Sequence, residues 1–184
     1  MRRTVASFAA LLLLAALASA DWDPGQPAKW VQVPDLSTTG IDVKATEPYI
    51  LADDFLCTET GPITGIHIWG SWLNDVVEPN VTFILSIHAD IPAGPLPYSR
   101  PGQVLWTKTF EPGTYGYRVY AAQIAEGWMV PPDIYLFPGD HVCWQYNFFI
   151  NEEEAFWQEG TPGQPIIYWL DVQAIGSGTG AQFG

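Results

Sequence analysis

The chain has 184 residues, 48% of them hydrophobic, with 20 acidic side chains against 7 basic ones and a net charge of −13. That balance repels a phosphate backbone and removes nucleic acid from consideration as a partner, while it suits an acidic solvated surface and divalent cations. With 17 glycines and 16 prolines, the length is that of one turn-rich domain rather than two.

Residues 1–20 read as a secretory signal peptide, because Arg2 and Arg3 precede an apolar run and a small-residue end, Ala18-Ser19-Ala20. The run is too short and too rich in alanine for a membrane span of about 20 residues. Asp21, not a cysteine, follows the cleavage point, and no later stretch is apolar enough to span. The mature chain is therefore expected to be secreted or held in the cell envelope without a membrane span. Loss of the two leader arginines takes its net charge to about −15.

Past the leader, residues 21–175 read as a single β domain. A weak strand is expected over residues 30–33. Residues 51–72 read as two strands joined by a tight turn, with Asp53 and Asp54 near the entrance, Cys57 closing the first and Trp69-Gly70-Ser71-Trp72 closing the second. Val81, Phe83, Leu85 and Ile87 then alternate with Thr82, Ser86 and His88, the mark of a strand with one buried face. Residues 104–110 and 134–137 are weaker candidates, and Tyr115, Tyr117, Val119 and Ala121 form another. Val142, Trp144, Tyr146, Phe148 and Ile150, alternating with His141, Gln145 and Asn147, make the strongest apolar face. Tyr168, Leu170 and Val172 alternate with Trp169, Asp171 and Gln173. Turns at Pro131-Pro132-Asp133, Phe137-Pro138-Gly139-Asp140 and similar clusters separate these runs, since proline presets φ and glycine accepts positive φ. Roughly eight to ten short strands so spaced predict an all-β fold, an antiparallel β-sandwich that is jelly-roll-like. Residues 176–184 form a Gly-rich C-terminal segment expected to be loose.

Cys57 and Cys143 are the only cysteines. In an exported chain without CxxC spacing, a disulfide between them is the default expectation. Against it stands the polar face on which Cys143 falls, with two separate thiols as the alternative.

The segments Lys29-Trp30-Val31-Gln32, Leu51-Ala52-Asp53-Asp54-Phe55-Leu56-Cys57, Ile68-Trp69-Gly70-Ser71-Trp72, Ser99-Arg100-Pro101-Gly102 and Tyr168-Trp169-Leu170-Asp171-Val172 together resemble a domain of unknown function. That domain is found in exported proteins of planctomycetes and similar environmental bacteria, and the resemblance covers nearly the whole mature chain. It implies a secreted β-rich domain and supplies no catalytic residues. Relatives often continue past the position of Gly184, so the resemblance leaves open that the chain is a C-terminally truncated fragment.

Catalytic constellations are wanting. No Gly-x-Ser-x-Gly elbow is present. A glycosidase would need paired carboxylates, and Glu152, Glu153, Glu154 and Glu159 read more simply as a solvated loop. His67, His88 and His141 have no zinc-type spacing. No cofactor is called for except a structural calcium, for which oxygen ligands abound; Asp53 and Asp54 are the first candidates, ahead of Asp90, Asp133 and Asp140. Among the 9 tryptophans, Trp144 belongs to the core, whereas Trp69, Trp72, Trp157 and Trp169 fall where stacking on a sugar face is feasible. Asn80-Val81-Thr82 matches a glycosylation acceptor that stays idle in a bacterium.

These readings converge on a non-catalytic exported module, carbohydrate-binding in its foremost version, with extracellular polysaccharide as partner. The alternatives are a structural envelope or matrix protein with protein partners and, behind both, a glycoside hydrolase-like enzyme with paired carboxylates.

Overall fold

A computed structural model describes residues 21–184; the signal-peptide reading lies outside the described residues. Its strands are β1 (Ile41–Val43), β2 (Leu51–Cys57), β3 (Gly61–Ile63), β4 (Gly65–Ser71), β5 (Thr82–Ile91), β6 (Arg100–Phe110), β7 (Gly116–Val130), β8 (Ile134–Phe149), β9 (Phe156–Gln158) and β10 (Ile166–Ile175). Two four-stranded sheets, ordered β1-β7-β8-β4 and β2-β10-β5-β6, pack together, and β3 and β9 form a small ribbon. Every pairing between these strands is antiparallel except that of β1 with β7. The chain crosses between the sheets from β2 to β4 and from β4 to β5, as in a jelly roll, whereas the β5–β6 and β7–β8 pairs each stay within one sheet.

The alternation read from the sequence decides which face turns inward. Phe83 and Leu85 of β5, Phe110 of β6 and Ala174 of β10 meet Ile66 of β4 and Tyr146 and Phe148 of β8 in one core. Phe83, fully buried, has the rings of Tyr115, Tyr146, Phe148 and Phe183 around it at centroid distances of 4.9–5.4 Å. Each such ring removed from water contributes about 1.5–3 kcal/mol. A smaller cluster of Cys57, Ile87 and Tyr168 continues the interior.

Several expectations are corrected. Residues 30–33 form no strand, because no partner runs beside them: Trp30 and Val31 stay exposed, the Trp30 ring lies 6.1 Å from Phe55, and Lys29 Nζ donates to the Pro62 carbonyl at 2.9 Å. The turn expected at Phe137-Pro138-Gly139-Asp140 is not a break, since β8 runs straight through it. Gly139 makes this feasible: a β-carbon there would strike the Trp128 side chain on the neighbouring strand. The tail is also less loose than its glycines suggest. Ala181 and Phe183 are buried, Phe183 bridges to Trp72, and the buried carboxylate of Glu78 accepts hydrogen bonds from Ser177 and Thr179, each at 2.7 Å.

The disulfide is a further correction, because Cys57 and Cys143 are both buried and both free. Cys57 packs between the sheets with Ile87 and Tyr168. Cys143 lies in the other sheet and, two residues being one strand period, shares the face of Gln145 and Asn147, opposite to the core face of Tyr146 and Phe148. That face is buried by the start of the described chain: Gln145 Nε2 donates to the Trp22 carbonyl at 2.7 Å, and Asn147 Nδ2 to Asp21 Oδ1 at 2.8 Å.

Candidate functional site

Tyr168, Leu170 and Ala174 of β10 face the core, so Trp169, Asp171 and Gln173 line the outer face of the β2-β10-β5-β6 sheet. Register sets their neighbours. Trp169 stands between Asp54 of β2 and His88 of β5, and Asp171 between Ala52 and Ser86. The half-buried indole of Trp169 is fixed by its Nε1–H, which donates to Asp90 Oδ1 at 2.9 Å. His88 Nε2 lies 2.7 Å from Asp171 Oδ2, and its Nδ1 lies 3.1 Å from the Gly102 carbonyl oxygen. Both ring nitrogens thus face oxygen atoms that hold the ring in place. An aromatic face is held among polar groups that are themselves hydrogen-bonded, an arrangement able to stack a ring and hydrogen-bond its substituents.

The other stacking candidates are placed differently. Trp157 is 55% exposed on β9, opposite Pro62. Trp69 is enclosed by Trp22 and Tyr120, at centroid distances of 5.8 and 5.7 Å. Trp72 is a core residue, 1% exposed, whose Nε1–H donates to the Tyr146 hydroxyl at 2.8 Å; as a stacking surface it is ruled out by burial.

At another place in the molecule, Asp42 of β1, Glu126 of β7 and Asp140 of β8 bring carboxylate oxygens within 4.8 Å of one another. Glu126 and Asp140 are register partners across the β7–β8 hairpin. Between Ala122 and Glu126 the register shifts, with Gln123 at φ 61°, and this bulge sets the direction of Glu126. Asp140 is 0% exposed and Glu126 3%. Burial, and after it the nearby Asp140, pushes the Asp42 carboxyl up to about 9; the same causes in the same order bring Glu126 to about 7. Burial also raises Asp140 and the Cys143 thiol.

A model for a domain of unknown function, DUF7901, matches residues 28–184. The chain belongs to the DUF7901 family. No curated protein and no solved structure matches it.

The DUF7901 chain keeps its other predicted ligands apart. Asp53, exposed, uses Oδ1 to accept the Asp54 backbone N–H at 2.9 Å, and neither residue joins a carboxylate cluster among the described residues. Glu152–Glu154 form an exposed 3₁₀ turn in which Glu154 pairs with Lys108 at 2.9 Å. His67 contacts Asn147 Oδ1 at 2.6 Å, and His141 contacts Asp75 Oδ2 at 2.9 Å. Of the residues that do converge, Asp42 and Glu126 escape sequence reading, because their strands are joined by pairing over 80 residues apart. Asp140 is legible in the sequence as a calcium candidate in a Gly-Asp turn, ranked behind Asp53 and Asp54. Among the described residues no helix is long and apolar enough to cross a membrane.

Proposed function

We propose that this DUF7901 chain is a non-catalytic exported recognition module that holds an extracellular polysaccharide against the outer face of the β2-β10-β5-β6 sheet. The carrying observation is Trp169, half-buried, oriented by Asp90 and flanked by the His88–Asp171 pair. A sugar offers an apolar C–H face for such a ring and hydroxyls for the carboxylates and imidazole around it. Export is supported by the leader pattern and by the likeness of the quoted motifs to exported planctomycete proteins. The reading is non-catalytic because the carboxylates that converge, buried Glu126 and Asp140 and half-buried Asp42, bring their oxygens within 4.8 Å, closer than the roughly 5–9.5 Å of glycosidase pairs.

Purified residues 21–184 on a glycan array provide the test. Trp169→Ala is expected to weaken retention at least tenfold with an unchanged melting curve, whereas Trp157→Ala keeps it. Equal retention by wild type and folded Trp169→Ala would remove the site. One observation favours a second reading, a matrix protein with protein partners: Ile134, Tyr135, Leu136 and Phe137 are each 42–57% exposed at the end of the β7–β8 hairpin. No glycan retention, together with self-association lost in Phe137→Ser, would select it.

A further inference from the structure

We propose that Asp42, Glu126, Asp140 and Ser71 form a site for one hard divalent cation, and that the ion is calcium. The inference is independent of the polysaccharide reading. Each residue comes from a different strand of one sheet, β1, β7, β8 and the end of β4, so the ion would tie all four strands together.

Three carboxylates gathered inside a protein stay ionised only beside a counter-charge, because burial leaves an ionised group without its water. None is provided by the chain: among the described residues no lysine, arginine or histidine makes an ion pair with any of them. Nor are their oxygens used otherwise. Asp42 Oδ2, Glu126 Oε2 and both carboxylate oxygens of Asp140 are buried without a hydrogen-bond partner.

A separate observation comes from a residue outside the acidic set. Ser71 is 0% exposed, and its Oγ also has no partner. It stands beside Asp42 and Asp140 and acts on both carboxyls. A buried serine hydroxyl normally finds a carbonyl within its own turn or strand. This one is turned instead toward the carboxylates, with a lone pair to offer, and brings the unpartnered buried oxygens to five.

Donor type and spacing select the ion. All donors are oxygen, from three carboxylates and a hydroxyl; zinc, which favours nitrogen and sulfur, is disfavoured. Oxygens within 4.8 Å of one another fit the shell of an ion bound at about 2.3–2.6 Å, the calcium distance, and three carboxylates in one site suit calcium better than magnesium, which keeps several waters and binds through one or two carboxylates. Close backbone packing shapes the rim. A β-carbon on Gly40 would come within 2.9 Å of Glu126 Oε1, and Ser71 exchanges backbone hydrogen bonds with Gly184 at 2.9 and 3.2 Å.

The test is calorimetric titration of chelator-treated residues 21–184 with calcium chloride and, separately, magnesium chloride, alongside thermal melting. Calcium is expected to bind one to one, more tightly than magnesium, and to raise the melting temperature. Asp140→Asn and Ser71→Ala should each weaken calcium at least tenfold, whereas Asp53→Asn leaves it unchanged. In chelator, Asp140→Asn should melt no lower than wild type, since it removes a buried charge; a residue with only a structural role would lower it. Should Asp140→Asn fail to fold, Asp42→Asn serves the same comparison. Absence of binding by folded wild type, tighter binding of magnesium, or full binding by both the Asp140 and Ser71 variants would overturn the assignment.

Discussion

Glu78 shows how one buried side chain turns a flexible composition into ordered structure. At 2% exposure, its carboxylate accepts the Asn80 backbone N–H at 2.9 Å and the hydroxyls of Ser177 and Thr179 at 2.7 Å. The backbone bond first and the two hydroxyls after it hold its pKa below the usual carboxylate value. A carboxyl depressed by folding contributes stability that is complete above its unfolded value of about 4.3 and is lost as pH falls through the folded value. Protection of the amides at residues 177–181, their exchange relative to an unstructured peptide at the same pH, should therefore be high at pH 7 and fall below about pH 4, and Glu78→Gln should be poorly protected at both. Equally slow exchange in wild type and variant would show that the glycines order themselves by other means. Chemistry at this scale was half legible in the linear chain. Strand alternation places His88 and Asp90 on one face of β5, and Trp169 and Asp171 on one face of β10. That they form a single surface depends on β5–β10 pairing, which joins residues about 80 apart and leaves no local signal.

At the scale of elements, the β7–β8 hairpin departs most from the sequence reading. Local turn chemistry predicts a stop at Pro138 and Gly139, because proline lacks a donor and glycine weakens a strand. The tertiary context overrides it: β8 continues past Trp128, whose side chain occupies the space that a β-carbon at position 139 would need and so fits only a glycine there. Gly139→Ala should accordingly destabilise by about 1–3 kcal/mol through overpacking, read as a lower urea midpoint. An unchanged midpoint would mean that the two strands are not in close contact there. The same irregular stretch carries Glu126 and Asp140. Bulges and residues without side chains are hard to read as strand, which is why this cluster was less visible than the regular faces.

For the whole molecule, stability rests on the meeting of two apolar faces, with Phe83 at their centre. Phe83→Ala deletes a fully buried ring with four aromatic neighbours and should lower stability by about 3–5 kcal/mol; denaturant unfolding measures it, and a loss under about 1 kcal/mol would place the core elsewhere. The linear chain by itself determined the β class, the sandwich, and the inward faces of β5, β8 and β10. Side-chain direction along a strand has a period of two, so burial is written locally. Only the tertiary structure decided that Cys57 and Cys143 face different ways, that Trp72 is core and Trp169 is not, and that Asp42, Glu126, Asp140 and Ser71 converge. Each of these depends on which strands are neighbours and in what register, and pairing is chosen by the packing energy of the whole sheet rather than by any short stretch within it.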